Sequence, residues 1–225
     1  MEGMNPMINI IYEDNHVLVV EKPINIPVQE DISKDKDFLT ILKEYIKKRD
    51  KKPGNVYLGL IHRLDRPVGG VMVFAKTSKC ASRLSEQVRN RTLEKSYLAI
   101  VEGKIDNSGT LIDKLLKDTK TNMVKVDRNG KEAILDYELI DYKENLSLVR
   151  INLKTGRSHQ IRVQFSSRNY PLYGDQKYNK NSKVGEQIAL FSNSITFNHP
   201  ITKEKMTFTL EMPNRKPWSI FKNIK

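Results

Sequence analysis

The chain has 225 residues, of which 38% are hydrophobic and 29% are charged. This length and apolar content allow one large domain with a buried core. No apolar run approaches the roughly 20 residues of a membrane-spanning helix, so we expect no membrane partner. The first residues have no basic start and no long apolar stretch, so we expect no signal peptide. The single cysteine, Cys80, fits a reducing, cytoplasmic setting.

The chain is strongly basic, with a net charge of +12 from 39 Lys and Arg against 27 Asp and Glu. Such an excess favours a polyanionic partner, because neutralising phosphates releases their counterions. A basic surface that is merely solvated explains the charge about equally well. The basic residues are spread through segments that carry a folding pattern, so we expect the charge to lie on a folded surface.

The N-terminal part predicts a hairpin followed by a helix. Two short apolar runs, residues 8–12 and 17–21, predict the two strands of the hairpin. After a loop rich in proline and charge, apolar residues recur at helical spacing over 37–49. We predict an amphipathic helix there, with Asp35 or Asp37 near its N-cap and cations near its C-terminal end.

The rest of the chain predicts mainly strands. Residues 71–76 follow two glycines and are rich in β-branched and aromatic residues, which indicates a buried strand. Thr77 or Ser78 can cap a following helix. Further strands are predicted over 96–102, 132–141, 146–154, 188–197 and 205–211. Because short turns join most of these strands, we predict an α+β fold with a mixed, largely antiparallel sheet and flanking helices.

Residues 104–130 are polar and form either a linker or a surface excursion. They lack the composition of a flexible linker, so we prefer the excursion. We therefore expect residues 1–225 to form a single domain.

The first polar cluster is residues 62–67, His-Arg-Leu-Asp-Arg-Pro, which places Asp65 between two arginines. Opposite charges nearby favour the ionised carboxylate, which is the form that acts as a nucleophile. Gly69 and Gly70 follow and let the backbone approach a ligand or another strand closely. A surface ion-pair loop is the alternative interpretation, and on charge pattern alone it is the commoner one.

Two further clusters could carry chemistry. Residues 154–162 gather hydrogen-bonding side chains around a glycine, as an anion-binding or catalytic loop does. Arg162 stands between two apolar residues, so we expect partial burial and a carboxylate or phosphate partner. Asp65 is one candidate partner, and a structural acid is the other. Tyr97 lies in a strand pattern, where a tyrosine usually packs in the core.

Other kinds of site are poorly supported. The four histidines form no pair at metal-ligand spacing and Cys80 stands alone, so we expect no metal. The sequence has no phosphate-binding P-loop motif, no dinucleotide fingerprint and no Gly-x-Ser-x-Gly nucleophile elbow.

Taken together, several sequence blocks resemble the RluA-type family of RNA pseudouridine synthases. They follow the family's order and span about residues 8–213. The block at 62–65 combined with the Thr-Gly-Arg-Ser-His-Gln-Ile-Arg block at 155–162 is highly specific. The other matching blocks are 11–14, 17–23, 95–97, 174–178 and 197–200.

The resemblance implies isomerisation of uridine to pseudouridine within structured RNA, without cofactor or metal. Asp65 matches the family's catalytic aspartate, and Tyr97 matches the tyrosine that stacks on the target base or assists proton removal. Arg162 matches the basic residue that pairs with the aspartate. A group of polar residues is expected to contact RNA: His62, Arg63, Arg66, Arg157, His159 and Gln160.

Some positions depart from the family pattern and put details of substrate contacts in doubt: Val68, Gly69, Ser158, Gln164 and Phe191. Many relatives carry a small N-terminal RNA-binding domain, for which we expect no room here. We therefore expect RNA recognition by the domain's own surface, at residues 43–52 or 114–131. We expect a monomer that acts on ribosomal or transfer RNA.

Two other functions stay open from the sequence. One is a non-catalytic RNA-binding or ribosome-assembly protein on the same fold. The other is a metal-dependent phosphodiesterase, although the lack of a carboxylate cluster speaks against it.

Overall fold

The computed structural model describes residues 8–221, which form two compact units. The first unit runs up to Leu93 and includes Ser194–Leu210, and the second comprises Glu94–Asn193 and the residues from Glu211 onward. Whether the two units behave as the single domain expected from the sequence stays a prediction. Within residues 8–221, no helix combines the length and the apolar character that crossing a bilayer requires.

The first unit contains a sheet with two helices. Its strands follow the order β1-β2-β4-β10, with β3 paired to β4 and β11 paired to β10. The pairings of β1 with β2, β2 with β4, β3 with β4 and β10 with β11 are antiparallel. The elements are β1 (Asn9–Glu13), β2 (Val17–Lys22), α1 (Phe38–Arg49), β3 (Gly59–Leu60), β4 (Gly69–Ala75), α2 (Ser78–Arg89), β10 (Leu190–Asn198) and β11 (Lys205–Thr209).

Local sequence explains why these elements form where they do. The predicted hairpin is confirmed as β1 and β2, and every residue of β4 is buried, as its apolar composition requires. Asp37 caps α1 by accepting a hydrogen bond from the Thr40 N–H at 3.0 Å. Thr77 caps α2 by accepting from the Cys80 N–H at 3.2 Å. Both predicted helices are therefore confirmed, with their N-caps among the predicted residues.

The second unit contains a sheet with one α-helix and a 3₁₀ helix. Its strands follow the order β10-β5-β9-β8-β6-β7, and β10 contributes residues to both units. The pairings β5–β9, β8–β9, β6–β8 and β6–β7 are antiparallel, which confirms the predicted α+β class with a largely antiparallel sheet. The elements are β5 (Glu94–Glu102), β6 (Ser108–Asp118), β7 (Met123–Val126), β8 (Lys131–Lys143), β9 (Leu146–Leu153), α3 (Gln160–Ser166) and a 3₁₀ helix (Trp218–Phe221).

The segment 104–130 contains the strands β6 and β7, and the preference for a surface excursion over a linker stays a prediction. Its buried residues alternate with exposed ones, so that Leu115 and Val124 pack with Ala133 and Val163 in a small core. One face of the hairpin is therefore held by apolar packing, although its composition is polar. The sequence analysis predicted no strands in this segment, because lysine and aspartate fill the solvent-facing positions of the strands.

Candidate active site

Asp65 lies on the connection between β3 and β4, in the first unit. Asp65 is partly exposed, whereas the neighbouring Leu64 and Val68 are buried. The Val68 N–H donates to the Asp65 carbonyl at 2.9 Å, which closes a tight turn around the aspartate. The buried side chains on either side anchor this turn.

Lys22, at the end of β2, forms hydrogen bonds to the same turn. It is only 1% exposed, and its ammonium group donates to the carbonyls of Pro23, Arg66 and Val68 at 2.9, 3.1 and 2.8 Å. All three N–H bonds of the ammonium therefore have an acceptor. Burial lowers the pKa of Lys22 to about 7, and the nearby Asp65 carboxylate opposes this by favouring the charged form.

The residues beside Asp65 have three different environments. His62 is buried, and its Nε2 accepts a hydrogen bond from the Val73 N–H at 3.3 Å, so it ties the loop to β4. Arg66 is exposed and bonds to Ser33 and to the carboxylate of Asp35. Arg63 is exposed. The acidic partner of Arg66, Asp35, lies in the loop that precedes α1.

The loop at 154–159 in the second unit is organised by Gln160. This residue is buried, and its amide oxygen accepts from the Thr155 hydroxyl at 2.8 Å and from the Arg157 N–H at 2.9 Å. Its amide nitrogen donates to the Ile134 carbonyl at 3.1 Å and to Gln164 at 3.0 Å. Gln160 is therefore a scaffold for the loop, and direct contact of its side chain with RNA stays a prediction.

His159 and Arg157 lie on the outer side of this loop. His159 adopts a left-handed backbone conformation with φ of 50°, and its Nδ1 lies 2.6 Å from the Tyr178 hydroxyl. Arg157 is exposed, and its Nε donates to the Glu132 carbonyl at 2.8 Å. Because this bond fixes Nε, the other guanidinium nitrogens of Arg157 can donate hydrogen bonds to a phosphate.

Arg162 is 6% exposed, which confirms the burial expected from its apolar neighbours. Within the second unit it forms a two-point ion pair with Asp175, with Nε to Oδ2 at 2.8 Å and Nη2 to Oδ1 at 2.6 Å. Its guanidinium also lies 5.2 Å from the centre of the Tyr178 ring. A structural acid, one of the two alternatives, thus fixes the guanidinium plane, and the pairing with Asp65 stays a prediction.

Tyr97 lies on β5 opposite Ile151 of β9 and is 5% exposed. It is therefore mostly packed, as a tyrosine in a strand usually is. Its role as a stacking surface for a base stays a prediction.

A groove of about 400 Å³ lies in the second unit beside the 154–159 loop. The ends of β6 and β7 and the loop residues 156–158 line it. Its cationic side chains are Lys117, Lys131 and Arg157, and none of the residues described around it is acidic. The groove therefore combines an apolar floor, which includes Leu115 and Val124, with a positive rim.

Comparisons with known proteins decide which chemistry these units serve. Residues 16–167, which include Asp65, Tyr97 and Arg162, match the family model for RNA pseudouridylate synthase. The chain belongs to this family. Its members isomerise uridine to pseudouridine, so the chain is an isomerase, and the predicted resemblance is confirmed.

Pseudouridine synthases of several bacteria are similar over most of the chain. An uncharacterised RNA pseudouridine synthase of Aquifex aeolicus is 35% identical over 225 residues, covering 93% of this chain and 71% of the relative. The synthase YhcT of Bacillus subtilis is 33% identical, with 92% and 69% covered. The ribosomal large subunit pseudouridine synthase D of Vibrio cholerae is 30% identical, with 95% and 70% covered.

Solved structures support the fold. Human RNA pseudouridylate synthase domain containing 4 superposes with a TM-score of 0.77 at 21% identity, covering 92% of this chain and 89% of the other. The human domain containing 1 superposes with a TM-score of 0.76 at 20% identity, covering 94% and 86%. At these identities the likeness concerns the pseudouridine synthase fold and no more.

Sequence reasoning missed two residues that shape the candidate site. Lys22 lies in a sequence block used for the resemblance, but without a role, and its signal was a lysine at the end of a strand that is apolar except for Glu21. Asp175 likewise lies in a matching block, 174–178, and emerges as the partner of Arg162. Asp175 has a side-chain exposure of 0%, and a buried acid of this kind requires a cationic partner.

Proposed function

We propose that this pseudouridine synthase modifies uridine in ribosomal or transfer RNA, with Asp65 as its catalytic aspartate. The arrangement around Asp65 carries the proposal: a partly exposed aspartate on a tight turn that the buried Lys22 holds through the carbonyls of Arg66 and Val68. Catalysis needs a group held in one geometry, and a turn fixed by a buried ammonium supplies this. Relatives named for the ribosomal large subunit favour ribosomal RNA over transfer RNA.

In the proposed reaction, the bond from the ribose to the ring nitrogen of uracil breaks, the base rotates, and a bond from the ribose to a ring carbon forms. The proton on that carbon leaves, and the ring nitrogen gains one. Asp65 acts on the nucleotide during this exchange, Arg162 pairs with Asp65, and Tyr97 stacks on the base or assists proton removal. None of these steps requires a metal or a cofactor.

The substrate base must leave its stack to reach these residues, at a cost of a few kcal/mol. Contacts between cations and the RNA backbone offset this cost. We propose that the groove rimmed by Lys117, Lys131 and Arg157 binds the backbone near the target. This refines the expectation for residues 114–131, because Lys117 is on β6 and Lys131 begins β8.

The test is pseudouridine formation on large-subunit ribosomal RNA transcribed in vitro, measured by chemical mapping. We expect Asp65→Asn to form no detectable product while its thermal unfolding matches that of the wild type. The matched control is Asp106→Asn, which removes an exposed carboxylate in the second unit and should leave the rate unchanged. Product formation by Asp65→Asn at the wild-type rate would show that Asp65 is not the catalytic aspartate.

A further inference from the structure

A cation that the proposed reaction does not use lies at the start of β5. Lys95 precedes Tyr97 by two residues, so both side chains leave the same face of the strand. Most of the Lys95 side chain is covered by the protein. Its ammonium nitrogen rests against Gly156, since a Cβ added to Gly156 would stand 3.1 Å from Nζ. The positive charge of Lys95 therefore lies next to the 154–159 loop.

This ammonium group is poorly compensated by the protein. Among residues 8–221, no carboxylate forms an ion pair with Lys95, and burial alone lowers its pKa. Lys154, the lysine at the start of the same loop, is by contrast paired with Asp136 at 3.1 Å. Covering an ammonium without a counter-charge costs free energy, which an anionic ligand would recover.

The loop that this ammonium contacts is open to such a ligand. Gly156, Arg157 and Ser158 are all exposed and all line the basic groove. A glycine at position 156 leaves space beside Nζ, and any side chain there would crowd the ammonium. Arg157 and Ser158 directly follow Gly156, so the exposed stretch that Lys95 contacts also carries a guanidinium group and a hydroxyl.

We propose that Lys95, Gly156 and Ser158 form a binding site for one phosphate of the RNA substrate, next to the nucleotide that Tyr97 receives. The inference rests on the proposed RNA substrate, since it takes the phosphate from the RNA backbone. Lys95 supplies the charge, and Gly156 supplies the space in which the phosphate sits. The site fixes the strand at a point set by the spacing of Lys95 and Tyr97 along β5.

The anion site is tested by NMR of the whole protein with its lysines dimethylated with ¹³C. The Lys95 signal is assigned by its loss in Lys95→Met. We expect uridine 5′-monophosphate and inorganic phosphate to shift this signal, and uridine to leave it unchanged. A nine-nucleotide single-stranded RNA containing uridine should shift it at a lower concentration than inorganic phosphate does. No shift with any phosphate would overturn the site, and a shift with inorganic phosphate alone would overturn RNA as its ligand.

Variants separate this role from a structural one. We expect Lys95→Met to bind the nine-nucleotide RNA roughly tenfold more weakly, as for loss of a charge-assisted contact. Its thermal unfolding temperature should be equal to or above that of the wild type, because the variant no longer covers an uncompensated charge. Lys104→Met is the matched control, since it removes an exposed lysine beyond the other end of β5 and should bind normally.

A third variant, Gly156→Ala, keeps the charge and fills the space beside it, so it should also weaken binding. Equal RNA affinity in Lys95→Met and wild type would overturn the proposal. A lower unfolding temperature in Lys95→Met together with normal RNA affinity would assign Lys95 a structural role instead. Pseudouridine formation is measured in parallel. If wild type and Lys104→Met make product, but Lys95 shows no phosphate-induced shift and Lys95→Met binds RNA normally, the proposed function stands and this phosphate site does not.

Discussion

Lys22 lies in an environment that its chemistry disfavours. An ammonium group prefers water, yet this one is 1% exposed and its pKa falls to about 7 because of burial. Its three carbonyl contacts offset part of that cost and fix the turn that carries Asp65. We infer that this lysine positions Asp65 and places a charge near it.

The pKa of Lys22 predicts a specific pH dependence of stability. Its folded pKa lies below the value of about 10.4 for an unfolded lysine. Between pH 7 and 10 the unfolded chain therefore binds more protons at this residue, and stability rises with pH across that window. We expect the unfolding free energy of the wild type to rise relative to that of Lys22→Met from pH 7 to 10, measured by urea denaturation. Parallel curves would contradict the shifted pKa.

The ion pair of Arg162 and Asp175 predicts a large effect of a small change. Their side chains are 7% and 0% exposed, so removing one charge leaves the other in a poorly solvated place. We expect Asp175→Asn to lower the unfolding free energy by about 3 kcal/mol or more.

The matched control for this pair is Glu138→Gln, whose partner Arg150 lies at 3.5 Å with both side chains about half exposed or more. It should change stability by less than about 1 kcal/mol. The two variants are compared by urea denaturation followed by circular dichroism. Similar effects of both substitutions would contradict the claim that burial makes the Arg162 pair different.

Sequence signals for secondary-structure elements predicted local contacts better than contacts between residues far apart in the chain. Helices α1 and α2 were predictable because Asp37 and Thr77 bond to backbone groups three residues away. The partner of Arg162 was left open between two acids, because Asp175 is 13 residues away and only the fold brings the two together. The contacts of Lys22 with residues 66 and 68 were invisible for the same reason.

The strands of the β6–β7 hairpin were not predicted from the sequence, for a different reason. Leu111 and Leu115 are buried on one face of β6 and Val124 is buried on β7, but the exposed positions include Ile112, which blurs the period-two pattern. The signal was weak because the hairpin packs through only one face and along a short length.

A glycine holds the base of this hairpin. A Cβ on Gly130 would lie 2.4 Å from the backbone carbon of Leu115, so the chain at 127–131 passes directly over β6. We expect Gly130→Ala to lower the unfolding free energy by roughly 1–3 kcal/mol, because backbone cannot yield as a side chain can. Hydrogen exchange of the amides in β6 and β7 should accelerate.

The control for Gly130 is Gly54→Ala, where an added Cβ meets nothing within 4 Å. This substitution should be neutral or slightly stabilising, because alanine restricts the unfolded chain. If Gly130→Ala exchanged its β6 and β7 amides at the wild-type rate, the close approach of the two backbones would not matter for the hairpin.

For the whole molecule, the net charge of +12 predicts how it binds RNA. Affinity should fall steeply with salt, since each phosphate neutralised in a single strand contributes a slope of about −0.7. We expect that removing three groove cations together reduces the slope for a single-stranded ribosomal RNA fragment by about 2. The variant changes Lys117, Lys131 and Arg157 to Met.

A charge-matched control removes three exposed lysines elsewhere and should keep the wild-type slope: Lys79, Lys180 and Lys203. Fluorescence anisotropy at several potassium chloride concentrations measures both. Equal slopes for the two triple variants would mean that the groove has no special share in RNA binding, and that the charge acts as a diffuse field.

We propose that Asp65 performs the isomerisation. Mapping of pseudouridines in total RNA tests this in cells that lack this gene and carry the wild-type protein, Asp65→Asn or Asp106→Asn. We expect at least one uridine that is modified with the wild type and with Asp106→Asn and stays unmodified with Asp65→Asn, at equal protein levels. Restoration of every site by Asp65→Asn would contradict it.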